Sequence, residues 1–203
     1  MPLHIFEERY RTMLADCLAG DERFGIVLIT PEGEPPAPGI IGCTAHIRAT
    51  QLLADGRSNI VVIGEHRFIV EEYVTESVPY AVAQVEDLAE DETSDISAQS
   101  LIELKRLGRI YLDTLHRLND STAPDTSFPD DPATLSFHLS AALELDSTVK
   151  QQLLATHSTL ERIRLLLALL PPLVLDHQAR ALEHEHARTN GKSSRPWKSA
   201  DPS

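Results

Sequence analysis

Nine histidines and four lysines are the residues of this 203-residue chain that invite a chemical reading. His177, His184 and His186 lie near Glu183 and Glu185. His177 and His184 stand seven apart and can share a helix face, whereas His184 and His186 stand two apart and point differently. The H-E-x-x-H zinc spacing is therefore missing, and the cluster reads as surface histidines on a charged helix. His46, His66, His116, His138 and His157 are scattered. Cys17 and Cys43 form no C-x-x-C pair, so they read as free thiols and no metal site is expected. The run GKSS, Gly191 to Ser194, ends like a phosphate loop, but G-x-x-x-x-G-K-S needs glycine where His186 stands. No cofactor is expected. A Ser–Lys dyad needs a lysine buried enough to lose its proton. Lys105 and Lys150 sit beside apolar stripes, and Lys192 and Lys198 lie in a polar tail. No G-x-S-x-G elbow occurs, so no catalytic residue is assigned.

The charge balance narrows the partners. Lys and Arg total 18 against 31 Asp and Glu, a net charge of −13. Such a surface repels phosphate backbones, and aromatic residues make up only 5%. Neither nucleic-acid nor membrane binding is expected. At 42% hydrophobic, the chain has material for a core. The longest apolar run, LLLALLPPLVL, is interrupted by Pro171 and Pro172, and no signal peptide precedes Pro2. The expectation is a soluble cytoplasmic protein.

The elements that would position any site divide in two. An extended lead-in, Pro2 onwards, precedes a helix on which Tyr10, Met13 or Leu14, Cys17 and Leu18 share a face, stopped at Gly20. Phe24 to Ile29 reads as a buried strand. The proline-rich Thr30–Gly39 stretch is a loop, and strands follow at Ile40–Ile47 continuing to Leu53, Asn59–Ile63, Arg67–Val74 and Tyr80–Asp87. Asp55-Gly56 and Gly64-Glu65 are the expected turns, and Gly42 a bend. In the last strand Ala81, Ala83 and Val85 alternate against Tyr80, Val82 and Gln84. Glu86 to Asp95 carries six acids and no base, and reads as a solvated linker. Beyond it the period becomes helical. Leu104, Leu107, Tyr111, Leu115 and Leu118 form a stripe, and Asn119–Pro132 is a loop. Asp131-Pro132 starts a helix carrying Leu135, Leu139 and Leu143; Val149 and Leu153 mark a short one; Ser158-x-x-Glu161 caps another. Pro171-Pro172 are expected to end or kink that helix. The reading is α+β: a β-rich part over residues 1–92, a helical bundle over 93–187 and a disordered tail over 188–203.

PLHIFEERYR, a helix and FGIVL, then GIIGCTAHI, DGRSNIVVIGEHRFIVEEYV, YAVAQVEDLAED and KQQLLATHSTLERIRLLLALL, resemble in order the N-terminal substrate-binding domain of Lon-type ATP-dependent proteases, over about Pro2 to Leu170. The resemblance implies a PUA-like β pseudobarrel followed by a helical bundle, and a standalone module without the ATPase and protease parts. The family pattern has a first strand before PLHIFEERY, so the expectation is that this strand is missing here and that Met1 stands where an internal residue belongs. The role implied is binding of unfolded polypeptide or a protein partner, as an adaptor or proteolysis-related factor, through the β part and the groove where it meets the bundle. Tyr10, Phe24, His66, Arg67 and Phe68 are the candidate peptide contacts. Two other readings stand beside it: a PUA-like RNA-binding protein, which the charge opposes, and an enzyme with an unrecognised site.

Overall fold

The computed structural model describes residues 1–30, 33–74, 77–91, 96–119 and 127–190. The GKSS stretch, Lys192 and Lys198 and the tail from 191 on lie outside them, as do parts of the expected loop, linker and inter-helix segments. The chain forms two compact units, one of Met1–Asp91 with Leu145–His157, the other of Glu92–Glu144 with Ser158–Ser203. The fold is α+β, as the pattern predicts.

The first unit is a curled antiparallel sheet. Its strands are β1 (Pro2–Ile5), β2 (Arg23–Ile26), β3 (Ile41–Leu52), β4 (Ser58–Val74) and β5 (Val82–Asp87), in the order β1-β4-β3-β2, with β5 also on β4. Helix α1 (Glu8–Ala19) lays Leu14 on one face, where Ile5, Ala45, Ile47, Ile60 and Val62 form the core. Tyr10, Cys17, Phe24 and Ile26 pack around it, while Leu18 stays exposed. Strand β2 is shorter and less buried than its apolar run predicts: it ends at Ile26, and Leu28 and Ile29 are exposed.

The Gly64-Glu65 turn is not there. The two expected strands on either side are one 17-residue strand. Cys43 faces Arg67 and Ala45 faces Gly64, so β4 carries one extra residue opposite Thr44. This is a bulge rather than a turn, and it bends the strand while keeping it in the ladder. Similar irregularities fall at Arg48 on β3 and Glu71 on β4. Together they let long strands curl.

Helix α4 (Ser147–Ala155) belongs with the sheet. Gln151 Nε2 donates to the Ile41 carbonyl at 2.7 Å. Arg67, only 6% exposed, donates through Nη1 to the Leu154 and Thr156 carbonyls at 2.6 and 2.8 Å and pairs with Glu90. A buried cation is thereby matched to the orphan carbonyls at a helix C-terminus and to a carboxylate.

The second unit is built from α2 (Ala98–Leu118), α3 (Pro132–Ala142) and α5 (Thr159–Asn190). Asp131 caps α3 by accepting from the Thr134 N–H at 2.7 Å, and Leu135, Leu139 and Leu143 are buried, as predicted. Gly108 lets α2 approach α3, since a Cβ there would sit 2.7 Å from Leu139 Cδ2. The prolines do not end the last helix: Pro171 and Pro172 lie inside α5. Leu170, Val174, His177 and Ala181 are all buried, so the packing stripe steps through both prolines and offsets the hydrogen bonds they remove. With the break gone, Thr159–His184 is long and apolar enough by length and composition to cross a membrane, contrary to the reading of that run; here α5 packs against α2 and α3. His177 is no surface residue. It is 3% exposed, 3.3 Å from Glu144 Oε2 and against the Tyr111 ring.

Replacing Arg67 with Ala leaves Glu90 and two helix carbonyls without their cation. The expected cost is about 3 kcal/mol of stability, read from urea unfolding. A loss under about 0.5 kcal/mol shows that α4 does not need this cap.

Candidate functional site

The bulge on β4 reverses which side chains face which way. Before it, Ile60 and Val62 join the α1 core; after it, Arg67 turns to α4, and Phe68 and Val70 turn to the other side of the sheet. There they floor a groove of 310 Å³ within the first unit. One wall comes from Asp21, Arg23, Phe24, Gly25 and Val27, the other from Tyr73, Ala81, Ala83 and Val85, with Thr44 between. The walls belong to β2 and β5, the two strands that end the path on this side. Among the described residues each pairs with one neighbour only, leaving an outer edge of backbone N–H and C=O groups.

Two glycines make the floor possible. A Cβ on Gly25 would lie 2.9 Å from Phe68 Cζ, and one on Gly42 only 2.4 Å from the same atom. The far end of the Phe68 ring therefore packs against bare backbone at both glycines, and Gly42 is required for this close approach. Val85 is 48% exposed at the rim. The Tyr73 hydroxyl is buried without a hydrogen-bond partner among the described residues, and burial pushes its pKa up.

An ion cluster borders the groove on the β2 side. Glu65, in the bulge, accepts from Arg23 Nε at 2.8 Å, and its other oxygen lies 2.8 Å from His46 Nδ1 and 3.6 Å from Arg48. Hydrogen bonds from Arg23 and His46 hold the Glu65 carboxyl at about 2, well below its usual 4.5. Arg23 is thus the groove's only cation among the lining residues, and its charge is already matched.

Of the five contacts expected from sequence, Phe68 floors this groove; Phe24 borders it on β2 but packs with Ile26 against the α1 core. Tyr10 packs on the α1 core with Arg9 over its ring, and Arg67 is committed to α4. His66 is exposed in the bulge. The sequence reading passed over Gly25, Val70, Tyr73, Ala81, Ala83 and Val85. The alternation of Ala81, Ala83 and Val85 marks a face, but nothing local says that β2 stands across from it. The lining residues include no histidine, lysine, serine or cysteine. No group of three or more His, Cys, Asp or Glu suited to a metal occurs among the described residues.

Two outcomes follow from this geometry. Gly42→Ala must displace the Phe68 ring, and should cost about 1–3 kcal/mol in urea unfolding; an unchanged midpoint contradicts the close ring–glycine contact. Because the folded Glu65 carboxyl titrates below the unfolded one, its stabilisation is complete above about pH 4.5 and disappears as pH falls toward about 2. The urea midpoint of the native chain should therefore fall more steeply than that of Glu65→Gln between about pH 5 and pH 3. Parallel profiles contradict the cluster.

Comparison with known proteins gives one consistent answer. The model of the family described as ATP-dependent protease La (LON) substrate-binding domain matches residues 1–171. Among curated proteins, Lon protease 2 of Myxococcus xanthus is 29% identical over 177 residues, covering 84% of this chain and 21% of that protein. Lon protease of Anaeromyxobacter dehalogenans is 27% identical, again over 84% of this chain and 21% of its own length. The chain thus spans about a fifth of these relatives. Among solved structures, a Lon N-terminal domain protein from Xanthomonas campestris superposes with a TM-score of 0.64 at 22% identity, covering 84% of this chain and 89% of that one. The N-terminal domain of Lon protease from the Mycobacterium avium complex gives 0.58 at 20% identity, covering 87% and 91%. These two likenesses concern the fold.

Proposed function

We propose that this chain, which belongs to the LON substrate-binding domain family, binds extended polypeptide by adding it as a strand at the mouth of its half-barrel. The observation that carries this reading is the pairing of two free strand edges, β2 and β5, with an apolar groove floored by Phe68 and Val70. Free edges supply backbone hydrogen bonds to any sequence, and an apolar floor takes alternate side chains of an added strand. The family's description as a substrate-binding domain fits such a role. What the groove offers a ligand is strand edges and apolar surface. In this reading the chain acts in the cytoplasm as a holding or adaptor module for unfolded polypeptide or a dedicated protein partner, without hydrolysing either.

The test is fluorescence anisotropy with a labelled, permanently unfolded polypeptide, beside single-stranded RNA. Saturable binding of the polypeptide and none of the RNA is expected. A short apolar peptide should compete, and the same peptide N-methylated at alternate residues should compete about tenfold less well, because it cannot complete a ladder. Equal competition by both forms contradicts strand addition. RNA binding, or no saturable polypeptide binding, contradicts the reading as a whole.

A further inference from the structure

The groove's surroundings are charged in one sense. From Met1 to Asp91 the sequence has sixteen carboxylates, six arginines and no lysine. Five of the arginines are already in ion pairs: Arg9 with Glu7, Arg23 and Arg48 with Glu65, Arg57 with Asp55 and Arg67 with Glu90. The sixth, Arg11, lies beside the β3–β4 turn at Gly56. The carboxylates flanking the groove are left over. Asp87 lies two residues beyond the lining residue Val85 on the same face of β5, and stands opposite Phe68 in the ladder; Glu86, opposite Ile69, turns to the other face. Glu71 is the extra residue of the β4 irregularity beside Val70, and Glu72, opposite Gln84, turns to the other face. All four are exposed and none has an ion-pair partner among the described residues. Asp21, on the β2 wall, accepts only the backbone N–H of Arg23 through its side chain.

We infer that the groove selects apolar segments flanked by lysine or arginine over the same segments flanked by acids. This rests on the reading of the groove as a strand-adding site and names the polypeptide it takes. The apolar floor holds the centre of the segment, and Asp87 and Glu71 on the β4–β5 side and Asp21 on the β2 wall receive cations on either side of it. An acidic flank meets like charge with no free cation in the groove to receive it, since Arg23 is held by Glu65. Several exposed attractions, each small and screened by salt, act together on one ligand.

The experiment uses the full chain and three labelled peptides sharing one apolar core, with Lys-Lys, Ser-Ser or Glu-Glu at each end. At about 50 mM NaCl the lysine-flanked peptide should bind about tenfold more tightly than the glutamate-flanked one, with the serine peptide between. At about 500 mM NaCl the gap should shrink to about twofold. The variant Asp21→Asn/Glu71→Gln/Asp87→Asn should shrink it similarly at low salt. A peptide with lysine flanks and an all-serine core should bind at least about tenfold more weakly than the one with the apolar core. Equal affinity for all three flanks, with the serine peptide bound, overturns charge selection and leaves strand addition standing. A gap unchanged in the triple variant, or equal binding of the serine-core peptide, also overturns it. Failure of every peptide, the serine-flanked one included, removes the groove reading itself.

Discussion

Strand β4 has to serve two apolar surfaces on opposite sides of one sheet, and a single extra residue lets it do so. Alternation alone would send every second side chain of its 17 residues the same way. The bulge at Glu65–His66 shifts the phase, so that Ile60 and Val62 face α1 while Phe68 and Val70 face the groove. The same shift points Arg67 at α4. Core, helix docking and groove floor thus depend on one irregularity. The ion cluster of Glu65 with Arg23 and His46 sits on that irregularity and ties the bulged residue to β2 and β3.

Arg67 shows how the first unit closes around a charge. Burying a guanidinium costs several kcal/mol unless its donors are matched. Here two carbonyls at the end of α4 and the Glu90 carboxylate provide that match. The result ties residues far apart in sequence, on β4, after β5 and on α4, to one side chain. Leu153, 1% exposed, supplies the apolar part of the same docking. An arginine that reads in sequence as an exposed contact is therefore a structural anchor of the sheet.

Charge in the first unit is arranged as well as abundant. Paired arginines take up Glu7, Asp55, Glu65 and Glu90, and Glu71 and Asp87 at the β4–β5 rim have no ion-pair partner among the described residues. An apolar groove inside an acidic rim differs from a bare apolar patch, because it discriminates among ligands by repulsion as well as attraction. In the second unit the buried polar groups Tyr111, with the Glu144 N–H, and Arg162, with Ser136 and the Phe137 ring, are satisfied internally.

What the sequence determines by itself is whatever depends on neighbours a few residues away. The stripe on α2, the Asp131-Pro132 start of α3 and the buried leucines after it follow from helical spacing and capping chemistry. The excess of carboxylates follows from composition, and the ordered run of segments points to the family. Phe24 and Phe68 are legible as candidate contacts because large apolar residues flank strand signals. Other features required the tertiary structure. Gly64-Glu65 has turn chemistry but becomes a bulge, because β3 stays paired across it. Pro171-Pro172 has breaker chemistry but stays helical, because Leu170, Val174, His177 and Ala181 are held against neighbours on both sides of it. Helix α4 reads as one more bundle helix until Arg67 and Gln151 reach it from the sheet side. The groove lies deepest beyond the sequence: its walls are strands more than fifty residues apart, and only the curl of the sheet between them makes them two sides of one site.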